Sequence, residues 1–148
     1  MIIQPHQSQQ KVRRGLVRVV DDEAPIHTLF QQICQREGLA CECYSSGGPF
    51  LTALDPDVPG CLVLDINLPD CSGLDVLSKL AELDVHLPVV CMSGLADVRD
   101  AVRALKLGSI DFVEKPFALA DMVAAIHRAI DTDQRNREQD AARRELLP

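Results

Sequence analysis

The stretch Cys61-Leu62-Val63-Leu64-Asp65-Ile66-Asn67-Leu68-Pro69 decides the predicted fold and directs attention to one edge of it. A short apolar run that ends in a carboxylate and a turn predicts a strand buried on both faces. In open α/β sheets, ligands bind in the crevice beyond the carboxyl ends of the strands. Asp65 is therefore a candidate reactive group, although such an acid, taken alone, is more often only a solvated strand end.

Length and composition indicate a globular domain of ordinary size. The 148 residues are 47% apolar and 25% charged, and no run approaches the roughly 18 apolar residues of a membrane span. The net charge of −7 argues against direct binding of nucleic acid by this chain. The N-terminus lacks a signal-peptide pattern. The six cysteines are scattered without a CxxC spacing, so we expect reduced, mostly buried thiols in a cytoplasmic protein.

Apolar patterns predict five strands that alternate with five helices. The strands are expected at 16–20, 39–44, 61–64, 87–92 and 110–113, the second of them half-buried at a sheet edge. Helical spacing follows each strand, and the fourth helix is expected to bury Val98, Ala101, Val102 and Leu105. This alternation predicts βαβ units, hence a parallel sheet with helices on both faces and right-handed crossovers.

Several local features carry narrower expectations. Asp22 or Glu23 should cap the first helix, and Ser72 should cap the third. Arg18 lies within the first strand, and we expect its guanidinium to reach water near the strand's start. The paired glycines at 47–48 should weaken the second helix.

The chain divides into three predicted segments. Residues 1–13 are polar and expected to be a disordered tail, and residues 14–131 form the folded domain. Residues 132–148 are almost entirely polar, and their heptad positions have no apolar seam, so a solvated helical linker is expected rather than a coiled coil. The final Leu146-Leu147-Pro148 is more typical of a cut than of a natural end.

Polar residues follow four of the predicted strands at their carboxyl ends. They are Asp21 and Asp22 after the first strand, Asp65 after the third, Ser93 after the fourth and Lys115 after the fifth. Because all carboxyl ends of a parallel sheet lie on one edge, these residues should converge. One such residue is weak evidence for a functional site, but several acids together with a hydroxyl and an amine at the same edge are strong evidence.

The charges of this set indicate its chemistry. Clustered carboxylates repel one another, and a hard divalent cation such as Mg²⁺ relieves the repulsion. A metal and Lys115 opposite a carboxylate suit a phosphoryl group, which Asp65 could attack to form an acyl phosphate while Ser93 donates a hydrogen bond. The alternative is a purely structural cluster in which Lys115 forms a salt bridge with the carboxylates. It would leave excess negative charge at one point.

With these motifs the chain resembles the receiver domains of two-component response regulators. The resemblance covers residues 14–131 and is carried by Val19-Val20-Asp21-Asp22-Glu23, Leu64-Asp65-Ile66-Asn67-Leu68-Pro69, Ser93-Gly94 and Asp111-Phe112-Val113-Glu114-Lys115-Pro116-Phe117. It implies a flavodoxin-like receiver fold with strand order 2-1-3-4-5. The run 93–117 is similar to the FixJ-type (LuxR/NarL-like) subgroup, which implies a DNA-binding output domain beyond this chain, reached through the predicted linker.

The resemblance implies a phosphoacceptor and a metal site. Asp65 would accept phosphate from a sensor histidine kinase and contribute to the metal site. Asp22 would bind Mg²⁺, or Mn²⁺ in its place, directly, and Asp21 would bind it through water. Asn67 would offer its backbone carbonyl. The chain would then catalyse only its own phosphorylation and dephosphorylation and would not otherwise be an enzyme.

The same resemblance implies a switch. Lys115 would pair with the phosphoryl group and precede a cis peptide bond to Pro116. Ser93, in place of the commoner threonine, and Phe112, in place of the commoner tyrosine, would form the switch pair. The fourth helix and fifth strand would form a homodimer on phosphorylation. Leu95, near the site, is expected to hinder the hydrolytic water and lengthen the phosphoryl lifetime.

Other classes of protein remain as alternatives. A haloacid-dehalogenase-like phosphohydrolase would need a second acid two residues after its nucleophile, where this chain has Asn67. A flavodoxin-like cofactor binder would need a phosphate-cradling loop where residues 21–23 are acidic. A stand-alone or degenerate receiver could act through protein contacts alone, although the complete acidic set argues against degeneracy.

Overall fold

The computed structural model describes residues 14–94 and 98–147. The tail 1–13, Leu95 with its predicted effect on hydrolysis, and Pro148 lie outside the described residues. The strands are β1 (Leu16–Val20), β2 (Ala40–Tyr44), β3 (Gly60–Asp65), β4 (Val89–Ser93) and β5 (Ser109–Glu114). The helices are α1 (Ala24–Glu37), α2 (Gly47–Ala53), α3 (Gly73–Glu82), α4 (Val98–Lys106) and α5 (Leu119–Glu145).

All five strands pair in parallel in the order β2-β1-β3-β4-β5, which confirms the predicted fold. Helices cover both faces by burying alternate residues of the same strands. In β3, Cys61 and Val63 belong to a core shared with α1 and α5, whereas Leu62 and Leu64 belong to a second core shared with α3. Every residue of β1 and β3 is buried. Asp21 and Asp22 follow β1, and Asp65 ends β3.

The helix caps agree in part with the sequence. Ser72 caps α3 as predicted, because its Oγ accepts from the Leu74 N–H at 3.1 Å and Asp75 accepts from the Ser72 N–H at 3.1 Å. Glu23 occupies the cap position of α1 but makes no side-chain capping bond. Its N–H instead donates to Asp21 Oδ1 at 2.8 Å, so the acid before the helix satisfies this amide.

Arg18 corrects one prediction. Its side chain is buried rather than reaching water, and Nη2 donates to the carbonyl oxygens of Asp55 at 3.0 Å and Val58 at 2.7 Å. The loop before β3 folds over the guanidinium and supplies these acceptors. The two Nη2 bonds offset part of the cost of burying this charge, whereas Nη1 is buried without a hydrogen-bond partner in the described part of the chain. The sequence pattern could not show this burial.

Helix α4 corrects another prediction. Val98, Val102 and Leu105 were expected in the core, but they are 79%, 43% and 52% exposed. Ala104 is the buried residue of this helix. The helix therefore packs through small side chains and leaves its larger apolar side chains at the surface.

The six cysteines are free thiols, as predicted. Burial raises the pKa of Cys61 to about 12 and that of Cys91 to about 11. Because the thiolate is the reactive form, both thiols are chemically quiet at neutral pH. They serve as small apolar side chains of the core.

Candidate functional site

Three acids meet at the carboxyl edge of the sheet. Asp21 and Asp22 directly follow β1, and Asp65 ends β3, the neighbouring strand. Their carboxylates each offer an oxygen within 4.8 Å of the others. Asp21 and Asp65 are 0% and 4% exposed, whereas Asp22 faces solvent. The rigid paired strands thus hold two buried carboxylates beside one that solvent can reach.

Lys115, directly after β5, is the cation of this cluster. Its Nζ lies 2.6 Å from Asp21 Oδ2, 3.1 Å from Asp65 Oδ2 and 3.2 Å from Glu23 Oε2. Its backbone N–H donates to the Ser93 carbonyl at 2.8 Å, and its bond to Pro116 is cis, as the resemblance implied. One ammonium therefore faces several carboxylates, and the site keeps an excess of negative charge.

The contact with Glu23 was not foreseen from the sequence. From the sequence, Glu23 was given a role of its own only as a helix cap, although it continues an acidic run with Asp21 and Asp22. That run was the available signal, because the first turn after β1 must pass over the same edge of the sheet.

Burial and neighbouring charges together determine the pKa values of Asp65 and Lys115. Burial raises the pKa of Asp65 above its usual range, although the Asn67 N–H and Lys115 oppose the shift. Burial alone would lower the pKa of Lys115, but the hydrogen bond and charge of Asp21, with those of Asp65, outweigh it and raise this pKa. Lys115 therefore remains an ammonium at neutral pH.

The two oxygens of Asp65 have different partners. Oδ1 accepts from the Asn67 N–H at 2.9 Å, and Oδ2 accepts from Lys115. The Asn67 side chain reaches β4, because its Oδ1 accepts from Ser93 Oγ at 2.7 Å. Sequence analysis placed Asn67 and Ser93 at the site separately and did not foresee this link between their side chains.

Phe112 lies on β5, one strand beyond Ser93. It pairs in register with Cys91, and Ser93 pairs with Glu114, so the predicted switch residues occupy adjacent strands. Phe112 is partly buried against the core that includes Ala104 of α4. Phe112 and α4 therefore pack against the same core.

A cleft of about 560 Å³ opens over these residues. Asp22, Asp65, Asn67 and Lys115 form its polar side. Its apolar lining residues are Ile26, Leu29, Pro116 and Phe117. Asp65, although only 4% exposed, therefore lines a cleft beside a lysine and other acidic groups.

The donor set fits a magnesium ion. Mg²⁺ prefers oxygen ligands and is usually held by one or two carboxylates with several waters. The converging oxygens of Asp21, Asp22 and Asp65, with Asp22 exposed, provide such a half-open site. Receiver domains bind Mg²⁺ at an acidic pocket of this kind.

Comparison with known proteins identifies the family. The profile described as response regulator receiver domain matches residues 17–127. The chain therefore belongs to the receiver-domain family of two-component response regulators. Within the described residues, no helix combines the length and apolar character needed to cross a membrane.

Curated relatives agree with this assignment. The response regulator protein TmoT of Ectopseudomonas mendocina is 36% identical over 126 residues, which are 85% of this chain and 57% of TmoT. The transcriptional regulatory protein FixJ of Rhizobium meliloti is 40% identical over 114 residues, 76% of this chain and 55% of that protein. The chain spans little more than half the length of these relatives.

Solved structures show the same fold. The response regulator StyR superposes with a TM-score of 0.85 at 28% identity, covering 89% of this chain and 67% of StyR. The beryllofluoride-activated NtrC4 receiver domain dimer gives 0.74 at 27% identity, covering 79% and 97%.

Proposed function

We propose that a sensor histidine kinase phosphorylates this receiver domain on Asp65. The observation that carries the proposal is the contact of Lys115 with both Asp65 and Asp21 beside a third converging carboxylate. This geometry places a nucleophile, a cation for phosphoryl oxygens and a metal-binding set within one cleft. The family's partners are histidine kinases, which supply a phosphorylated imidazole.

The chemical step follows from the contacts. An oxygen of Asp65 attacks phosphorus, the bond from phosphorus to the kinase imidazole nitrogen breaks, and that nitrogen retains the electron pair and is protonated. Lys115 exchanges a carboxylate partner for a phosphoryl oxygen. Asp21, Asp22, Asp65 and the Asn67 carbonyl would hold Mg²⁺, which when bound neutralises charge on the phosphoryl oxygens.

The proposed readout couples Ser93 to Phe112. Donation of the Ser93 hydroxyl to a phosphoryl oxygen would draw β4 toward the site, and Phe112 on the adjacent strand would turn inward. Because Phe112 packs against the core that α4 contacts, this movement would reshape the α4–β5 surface. The relatives are regulators rather than enzymes, so the chemistry would be limited to the domain's own phosphorylation and dephosphorylation.

The test of the proposal is covalent labelling. Incubated with acetyl phosphate and Mg²⁺, the protein should gain one acid-stable, base-labile phosphoryl group by intact-mass measurement. Asp65→Asn should gain none, because an amide oxygen cannot form the acyl phosphate. Labelling of Asp65→Asn at the wild-type rate, or no labelling of the wild type by acetyl phosphate or a phosphorylated histidine kinase, would contradict the assignment.

We further propose that the regulator containing this domain is of the FixJ type and controls transcription. The support is the 40% identity to a transcriptional regulatory protein and the partial coverage of such relatives. DNA binding would belong to an output domain beyond residue 148, consistent with the negative charge of this chain. A reading frame that continues into a helix-turn-helix would agree; a stop codon directly after 148 would favour a receiver acting through protein contacts.

The α4–β5 surface is the proposed dimer interface. Val98, Val102 and Leu105 of α4 are exposed, and Ile110 of β5 is 42% exposed. Ile110 lies in β5 between Ser109 and Asp111, at the irregularity where the register of β5 against β4 shifts. A related receiver has been solved as an activated dimer. Exposed apolar side chains on adjoining elements are suited to pairing with a second copy.

A further inference from the structure

The side chain of Asn67 accepts the one hydrogen bond that the Ser93 hydroxyl can donate. Ser93 is buried, and its Oγ lies 2.7 Å from Asn67 Oδ1, a separation typical of an O–H···O hydrogen bond. A serine hydroxyl carries a single proton. Ser93 therefore cannot donate to Asn67 and to a phosphoryl oxygen at the same time.

We propose that Asn67 is a positioning residue that holds the switch hydroxyl in its resting orientation and thereby lowers the affinity of the site for a phosphoryl group. The proposal rests on the proposed function of Asp65. It concerns the asparagine side chain, whereas the metal site would use only the backbone carbonyl of this residue.

The loop that carries Asn67 is fixed well enough for this role. The Asn67 N–H donates to Asp65 Oδ1, and Asn67 pairs with Ser72 through an isolated antiparallel bridge. The Gly73 N–H donates to the Ile66 carbonyl at 3.0 Å, which closes the loop from the other side. The backbone of Asn67 is thus fixed where its amide oxygen can accept from Ser93 Oγ.

Ser93 can exchange the Asn67 amide oxygen for a phosphoryl oxygen at little cost, because Ser93 is buried whereas Asn67 is exposed. Asn67 is exposed, so water can replace Ser93 at its amide oxygen after the hydroxyl turns away. The resting bond then contributes only the net value of one hydrogen bond. That value corresponds to about a two- to tenfold change in an equilibrium constant.

A double-mutant cycle on a phosphoryl mimic tests the proposal. The affinity for beryllofluoride in saturating Mg²⁺ is measured for wild type, Asn67→Ala, Ser93→Ala and the double variant. Asn67→Ala should bind about two- to tenfold more tightly than wild type. In the Ser93→Ala background the same substitution should change nothing, because no hydroxyl remains to be held.

Three outcomes of the binding cycle overturn the proposal. They are unchanged or weaker binding by Asn67→Ala, an equal gain in the Ser93→Ala background, and a gain matched by tighter Mg²⁺ binding without beryllofluoride. The same cycle on urea unfolding of the metal-free proteins should show coupling between Asn67 and Ser93; its absence also contradicts the resting bond. A wild type that binds no beryllofluoride rejects the proposed function itself, and with it this role of Asn67.

Discussion

At the scale of single residues, the site is a negatively charged cluster that one lysine balances only in part. Asp21, Glu23 and Asp65 contact Lys115, whereas Asp22 makes no ion pair within the described part of the chain. Asp22 therefore adds repulsion to the metal-free protein without a compensating contact. Its place at the site agrees with the proposed role of Asp22 as a metal ligand.

Asp22→Asn should consequently stabilise the metal-free protein and abolish its response to Mg²⁺. In EDTA we expect the free energy of unfolding to rise by about 0.5–1 kcal/mol, because an exposed like charge is removed. Wild type should gain stability as Mg²⁺ is added, since the folded state alone binds the ion. Asp22→Asn should gain almost none. Thermal unfolding with and without Mg²⁺ measures both effects.

Asp131→Asn is the matched control for this prediction. Asp131 is an exposed acid of α5 away from the cluster, so its substitution should leave the Mg²⁺ response intact. A normal Mg²⁺ response in Asp22→Asn would show that Asp22 does not bind the ion.

The positions of the site residues could be predicted from sequence, but their pairings could not. Asp21 follows β1, Asp65 ends β3 and Lys115 follows β5, and parallel topology alone brings these strand ends together. The bond between Asn67 and Ser93 depends on the path of the β3–α3 loop and on side-chain rotamers. Neither is encoded in an apolar pattern, so this link required the structure.

At the scale of elements, the glycines that start α2 have a structural reason. A Cβ on Gly47 would lie 2.7 Å from Val76 Cγ2 and 2.9 Å from Cys71 Sγ. The N–H groups of Gly47 and Gly48 donate to Asp70 in the β3–α3 loop at 3.3 Å and 3.2 Å. The glycines thus allow α2 to approach the loop that follows Asp65.

Gly47→Ala and Gly48→Ala should therefore have opposite effects on stability. Gly47→Ala should cost about 1–3 kcal/mol, because the added methyl group overlaps two packed side chains. Gly48→Ala, whose Cβ would lie 3.7 Å from the nearest atom, should be neutral or stabilising by up to about 1 kcal/mol. Urea unfolding of both variants measures the difference. Equal effects would mean that α2 does not need the close approach.

Helix α5 contacts the start of β3 and the loop before it through polar side chains, which its sequence pattern did not predict. Asp133 is buried and accepts from the Gly60 N–H at 2.8 Å and from Arg137 Nε at 2.8 Å. Arg137 Nη2 donates to the Pro56 carbonyl at 2.9 Å. Arg18 binds the same loop from β1. The stretch beyond residue 131 lacks an apolar seam, so its docking through buried polar groups could not be predicted from periodicity.

Asp133→Ala should lower the free energy of unfolding by about 2–4 kcal/mol, because it leaves the buried N–H of Gly60 and the Nε–H of Arg137 without their acceptor. Asp131→Ala, an exposed acid on the same helix, should change it by less than about 0.5 kcal/mol. Urea unfolding measures both variants. Similar small effects would show that the first turns beyond residue 131 are not part of the folded unit.

At the scale of the whole molecule, the two edges of the sheet have different tasks. The carboxyl edge carries the acids, Lys115 and the cleft. At the amino edge, Arg18 and Arg137 bind the loop before β3, and Asp133 binds the N–H of Gly60 where β3 begins. The sheet order was predictable because alternation of strands and helices restricts the topology. The orientation of α4 was not, since its small and large apolar side chains have the same helical spacing and only packing decides between them.

The exposed side of α4 leads to a prediction for assembly. With beryllofluoride and Mg²⁺ the wild type should form a dimer in analytical ultracentrifugation and remain monomeric without them. Leu105→Glu and Ile110→Glu should stay monomeric in both conditions, because a charge would be buried in an apolar interface. Leu83, 52% exposed after α3, matches Leu105 in exposure but lies on another element. Leu83→Glu should therefore dimerise normally. If Leu83→Glu blocks the dimer while Leu105→Glu and Ile110→Glu retain it, the apolar side of α4 has another partner.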